Sequence, residues 1–112
     1  MKLPNASRAF IDIRKLTDYC LSPAHPRGRH KARVFRAALG MTADDAEELR
    51  DALLAAARTE DTEPGNVDEY GARYTLDFVM SRPEGEANIR SMWIIRAEED
   101  FPRLTSCYVL TE

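Results

Sequence analysis

The chain is poor in the residues that usually betray a small protein's chemistry. Of its 112 residues two are cysteine, one is tryptophan and two are histidine. Cys20 and Cys107 stand at opposite ends of the sequence, which argues against a disulfide framework. They are best read as small buried apolar residues. The longest unbroken apolar run, from Ala52 to Ala57, is far too short to span a bilayer. No apolar stretch follows Lys2, so a secretory signal is not expected and the expected compartment is the bacterial-type cytoplasm. No repeat or low-complexity tract is present. With 44% hydrophobic and 31% charged residues, the composition is that of a folded chain of one domain, 1–112.

What is present is charge, unevenly placed. The formal net charge is −3. Residues 1–40 carry nine Lys/Arg against two acids, and residues 41–112 carry seven against seventeen. The chain is therefore +7 in its first part and −10 in the rest. Such a split suits a polyanion site on one side of the molecule. It equally suits two surfaces that attract each other within the fold or in an oligomer.

Hydrophobic spacing predicts an α+β domain with a helical part over about 9–58 and a sheet over about 62–111. Asp12 is placed to cap a first helix over about Ile13–Leu21, with Ile11 and Leu16 as its hydrophobic staple. Ser22-Pro23 ends it. A second helix is expected from Arg29 to Leu39, stopping at Gly40. Thr42 starts a third, whose stripe is Ala46, Leu49, Leu53 and Ala56. Alternation then marks strands on Tyr74–Met80, Ile89–Ile95 and Leu104–Leu110, with a further edge strand near Thr62–Asp68. Short connections predict an antiparallel meander of three or four strands, with three N-terminal helices packed on one face. Ser106 and Tyr108 are expected in step with Leu104, on the core side. Trp93 is expected in the core, and Arg90, opposite in phase, outside it.

The chemistry concentrates in His25-Pro-Arg-Gly-Arg-His-Lys-Ala-Arg-Val-Phe-Arg36, which holds both histidines, five Lys/Arg and no acid. A glycine-containing loop entering a helix leaves backbone N–H groups to bind an anion such as phosphate. Arg27, Gly28, Arg29, Arg33 and Arg36 are the expected anion-binding set. At about 100° per residue, Lys31 falls within the apolar arc of Ala32, Val34, Phe35, Ala38 and Leu39. It either snorkels past the core or serves a site. The other charges of the segment either bind an anion or form a solvated face paired with the acidic third helix. A metal is not expected: Cys20, His25, His30 and Cys107 match no common zinc spacing. No cofactor is implied.

The sequence also resembles an uncharacterised bacterial domain family. The resemblance rests on Leu3-Pro-Asn-Ala, on Lys15-Leu16 near Tyr19, and on His25-Pro-Arg-Gly-Arg-His-Lys-Ala-Arg-Val-Phe35. It continues through Tyr70-Gly71-x-x-Tyr74, Ile89-Arg-Ser-Met-Trp-Ile-Ile95 and Pro102-Arg-Leu-Thr-Ser-Cys-Tyr108, so it covers almost the whole chain. Related domains occur in polymorphic toxins and phage-associated proteins. Helices followed by a meander, with a late Arg-Leu-x-hydroxyl-x-Tyr strand, are distantly similar to the barnase–colicin–RelE ribonucleases. That similarity implies a catalytic set of His30, Lys31, Arg90, Ser106 and Tyr108, RNA as a partner, and a small immunity-like protein encoded nearby as another. Metal-independent cleavage needs a proton acceptor, a proton donor and cations at the phosphorane, which such side chains supply. The alternative is a non-catalytic module that uses the basic helix to bind protein or nucleic acid.

Overall fold

The computed structural model describes residues 1–111. Among them the chain forms two α-helices, α1 (Gly28–Leu39) and α2 (Ala46–Thr59), and four strands, β1 (Glu63–Asp68), β2 (Gly71–Arg82), β3 (Gly85–Arg96) and β4 (Arg103–Val109). The strands run antiparallel in the order β1-β2-β3-β4, a meander.

The expected trio of N-terminal helices is corrected. The two α-helices lie in the middle of the chain, and the first helical segment, over 14–20, is short and wide-turned through Leu16–Cys20. Asp12 does cap its start, accepting from the Arg14 N–H at 3.0 Å. Leu21 N–H then bonds Leu16 O, five residues back, at 2.8 Å. This widening places both Leu16 and Cys20 in the core. Upstream, the Phe10 backbone joins the start of β4: its N–H donates to Pro102 O and its carbonyl accepts from Leu104 N–H. No alternation marked that contact.

Both α-helices begin and end where the sequence says they should. Gly40 takes the left-handed conformation (φ 63°) that stops α1. In a capping box ahead of α2, Thr42 Oγ1 accepts from the Asp44 N–H at 3.3 Å and the Asp45 carboxylate accepts from the Thr42 N–H at 2.9 Å. The acids that follow do not pair with α1. Instead Arg82, at the β2–β3 turn, donates to both carboxylate oxygens of Glu48 (2.9 and 3.2 Å) and to the Leu39 carbonyl. One guanidinium thus ties the hairpin to the end of α1 and the start of α2.

The helices cover one sheet face. Leu76, Phe78 and Met80 of β2, Ile89 and Trp93 of β3, and Leu104, Cys107 and Val109 of β4 join Phe35, Leu39, Leu49 and Leu53 in one buried cluster. Trp93 is core, as its alternation predicts, and its indole N–H donates to Ser91 Oγ at 2.9 Å. Ser91 in turn donates to Leu76 O, so the buried polar pair is satisfied.

β4 departs from the simple alternation. Its register against β3 shifts between Met92 and Trp93, so Thr105 is an extra residue between Leu104 and Ser106. Past this bulge Cys107 and Val109 point inward opposite Ser91 and Ile89. Tyr108 therefore sits opposite Arg90 on the other side of the sheet, not in step with Leu104. Ser106 is nonetheless buried, beside the wide turn.

Candidate functional site

The basic loop–helix is organised around His25. Its Nδ1 accepts from the backbone N–H groups of Arg27 (3.0 Å) and Gly28 (2.9 Å). Its carbonyl accepts from the Arg29 N–H at 2.9 Å. The Arg27, Gly28 and Arg29 N–H groups, expected to meet a phosphate at the start of α1, have partners within the chain. His25 is the helix cap, and Nδ1 as acceptor puts the neutral ring's proton on Nε2.

Gly28 has a different purpose. It is buried, and a Cβ built on it would lie 2.0 Å from the Tyr19 carbonyl oxygen. The glycine lets the start of α1 press directly on the wide turn. That contact fixes Tyr19, whose ring meets His25 edge-on at 4.8 Å. Lys31 then reaches across: its Nζ donates to the Tyr19 hydroxyl at 2.7 Å. The lysine on the apolar arc has its explanation in this bond. Its stem lies over the helix flank and its ammonium is held by a phenol.

The two partners of this bond line different clefts, Tyr19 one and Lys31 the other. One, of about 590 Å³, is lined by Lys15, Tyr19, His25, Arg27, Thr105 and Ser106. Asp12, Asp18 and Arg14 also border it. Asp12 is occupied by the Arg14 guanidinium (2.7 and 3.1 Å), which with the Arg14 backbone holds its carboxyl down at about 2. Lys15 and Arg27 make no ion pair within 4 Å among the described residues. The second cleft, of about 330 Å³, is lined by His30, Lys31, Val34, Tyr108, Val109 and Thr111.

Behind both lies a buried thiol pair. Cys20 Sγ is 4.0 Å from Ser106 Oγ. Hydrogen bonding from Cys107 foremost, then from Ser106, with the Lys31 charge nearby, brings the Cys20 thiol down to about 7 against its burial. Cys107, donor of that bond and fully buried, is pushed up.

The proposed residues are thus distributed as follows. His30, Lys31 and Tyr108 share one cleft, while Ser106 borders the other and joins them through Tyr19 and Lys31. Arg90 is already engaged, with both carboxylate oxygens of Asp77 at 2.9 Å. Asp77 first, and the Tyr108 hydroxyl second, raise it above the ordinary arginine value. It supports Tyr108 from the outer sheet face and does not line either cleft. Arg27 faces the larger cleft, whereas Arg29, Arg33 and Arg36 face a separate groove on another flank of α1. Cys20, His25, His30 and Cys107 do not converge; among the described residues no three His, Cys, Asp or Glu side chains are grouped for a metal ion.

Sequence reasoning missed Tyr19 and the capping function of His25. Tyr19 stands in the sequence only as an aromatic residue near Lys15-Leu16. Its partner lies twelve residues away across a loop whose path no spacing rule gives.

His25 can be tested directly. His25→Ala should cost about 1–2 kcal/mol of stability, the usual cost of losing a side-chain cap. His25→Asn, which restores an acceptor, should recover most of it. Urea unfolding measures both, and an unchanged midpoint in His25→Ala would show that the cap contributes nothing.

These features define a small α+β domain with a basic double cleft beside the edge strand of a meander. Residues 2–111 match the family described as a domain of unknown function (DUF6883), and the chain belongs to that family. No curated protein matches it at a significant level. No helix among the described residues is long and apolar enough to cross a membrane.

Proposed function

We propose that the domain binds RNA phosphate across the double cleft and cleaves the chain without a metal. The observation that carries this reading is the Lys31–Tyr19 bond, which places a cation between two clefts, each bordered by an imidazole. The toxin- and ribonuclease-like resemblance of the sequence supports it, as does the order of helices followed by a meander.

The chemistry follows from the placement. A phosphodiester spanning the junction puts its non-bridging oxygens beside Lys31, with Arg27 and Lys15 holding the neighbouring phosphate. His30 accepts the proton of the ribose 2′-hydroxyl as that oxygen attacks phosphorus. The 5′-oxygen leaves and takes a proton from Tyr19, whose own O–H is free because its oxygen accepts from Lys31. The products are a 2′,3′-cyclic phosphate and a free 5′-hydroxyl. Ser106 and Tyr108 border the path and orient the phosphate. Arg90, fastened to Asp77, steadies Tyr108 and takes no part in proton transfer.

The test is incubation of purified protein with total RNA in excess chelator. Cleavage to fragments with cyclic phosphate ends is expected. Intact tRNA and mRNA after prolonged incubation would overturn the reading.

A further inference from the structure

At the start of β4, beside the larger cleft, three side chains form one stack. The Arg103 guanidinium carbon lies 5.0 Å from the centroid of the Phe10 ring and 5.0 Å from that of Phe101. The guanidinium donates to both carboxylate oxygens of Glu99 at 2.7 Å, which holds it in place. Phe10 is fixed through its backbone, which bridges Arg103 in parallel and bonds Pro102 and Leu104. The residue is nevertheless 44% exposed. Of the four phenylalanines, Phe35 and Phe78 are in the core and Phe101 is half-buried, so Phe10 alone presents its ring to solvent.

The stack is flat and carries little net charge, because Glu99 neutralises the guanidinium that polarises the rings. Asp12 and Asp100, which flank it along the chain, are taken by Arg14 and Arg8. Its position ties it to the cleft. Asp12 is two residues on from Phe10 and Thr105 two residues on from Arg103, and both border the larger cleft with Lys15 and Arg27. Two residues of a strand span about 6–7 Å. A base whose phosphate lies in that cleft is therefore within reach of the ring.

We infer that the open face of the Phe10 ring stacks a nucleobase of single-stranded RNA, next to the phosphate held in the larger cleft. The inference rests on the RNA reading of the double cleft and adds the class of substrate to it. A paired base is already stacked within its own helix and cannot lie on a ring, so the strand must be unpaired. Every base has a π-face, so the stack does not choose among the four. Flatness, low net charge and the adjoining basic cleft together favour a base over a protein side chain.

The probe is a short fluorescein-labelled 2′-O-methyl RNA, which cannot be cleaved because its 2′-oxygen is blocked, so binding is read apart from chemistry. Phe10→Leu should weaken binding about fivefold to a hundredfold, the usual contribution of one stacked base. Phe10→Trp, which keeps a flat ring, should bind as tightly as wild type. Removing the bases one at a time should reveal a position whose loss weakens binding by wild type and not by Phe10→Leu. A merely structural role of the ring would not produce that coupling. Equal binding by wild type and Phe10→Leu overturns the inference, as does a duplex of the same sequence bound as tightly as the single strand. If Lys15→Ala with Arg27→Ala weakens binding in either case, the RNA reading of the cleft stands without the stack. Absence of binding by wild type up to about 1 mM, the weak limit of specific association, overturns both.

Discussion

His30→Ala should lower RNA cleavage by about a hundredfold to ten-thousandfold, the usual contribution of a positioned acid–base group. The expectation rests on geometry. His25 and His30 are the only imidazoles of the chain, and the two are differently committed. His25 spends Nδ1 on the Arg27 and Gly28 N–H groups. His30 is exposed on the first turns of α1, lines the cleft with Lys31 and Tyr108, and among the described residues makes no hydrogen bond that removes either ring nitrogen from use. It is the imidazole free to take a proton. Because His30 is at the surface, the substitution should leave the unfolding midpoint near wild type, which separates lost chemistry from lost fold. Initial rates on a defined oligoribonucleotide with chelator present, alongside urea unfolding, give both quantities. A rate within about threefold of wild type would remove His30 from the reaction.

Gly28→Ala should destabilise the fold by about 3 kcal/mol, at the upper end of ordinary overpacking. That is roughly a hundredfold in the folding equilibrium. The new Cβ would lie 2.0 Å from the Tyr19 carbonyl oxygen and 2.7 Å from its carbon. Both are backbone atoms, so relief needs the wide turn Leu16–Cys20 to move away from α1 and not merely a side chain to rotate. Leu16 and Cys20 are fully buried, so that movement would open the core. It would also carry the Tyr19 hydroxyl away from Lys31. Denaturant unfolding measures the first effect, and a loss of cleavage at temperatures where the variant is still folded measures the second. A change in stability below about 0.5 kcal/mol, the range of a harmless surface substitution, would show that the contact is slack.

The elements most legible in the sequence are those whose signals are local. The Thr42–Asp45 box, Gly40 at the end of α1 and the stripe of α2 each depend on residues within one turn of one another. The short hairpin connections and the alternation of β2 and β3 fixed the meander, with Trp93 inside and Arg90 outside. Where the reading failed, a non-local contact intervened. The first helix is wide-turned over Leu16–Cys20, and so brings both Leu16 and Cys20 to a core built by later strands. Period-two reasoning placed Tyr108 in the core because one extra residue, Thr105, changes the phase only through pairing with β3. The acids of α2 were available to the α1 arginines by charge alone, but Arg82 arrives from the far hairpin and takes Glu48, while Asp51 pairs with Arg50.

By itself the sequence determined the class of fold, the segment that carries the positive charge and the family to which the chain belongs. Periodicity, capping and composition are properties of neighbouring residues, and they survive without a tertiary context. Only the tertiary structure decided how that basic segment is used. It turned Gly28 from an anion cradle into a packing contact and made His25 a cap. It placed Lys31 against Tyr19 and divided the arginines between two flanks of one helix. A helix displays its residues all round its axis, and the elements packed against it determine which of them meet in a cleft.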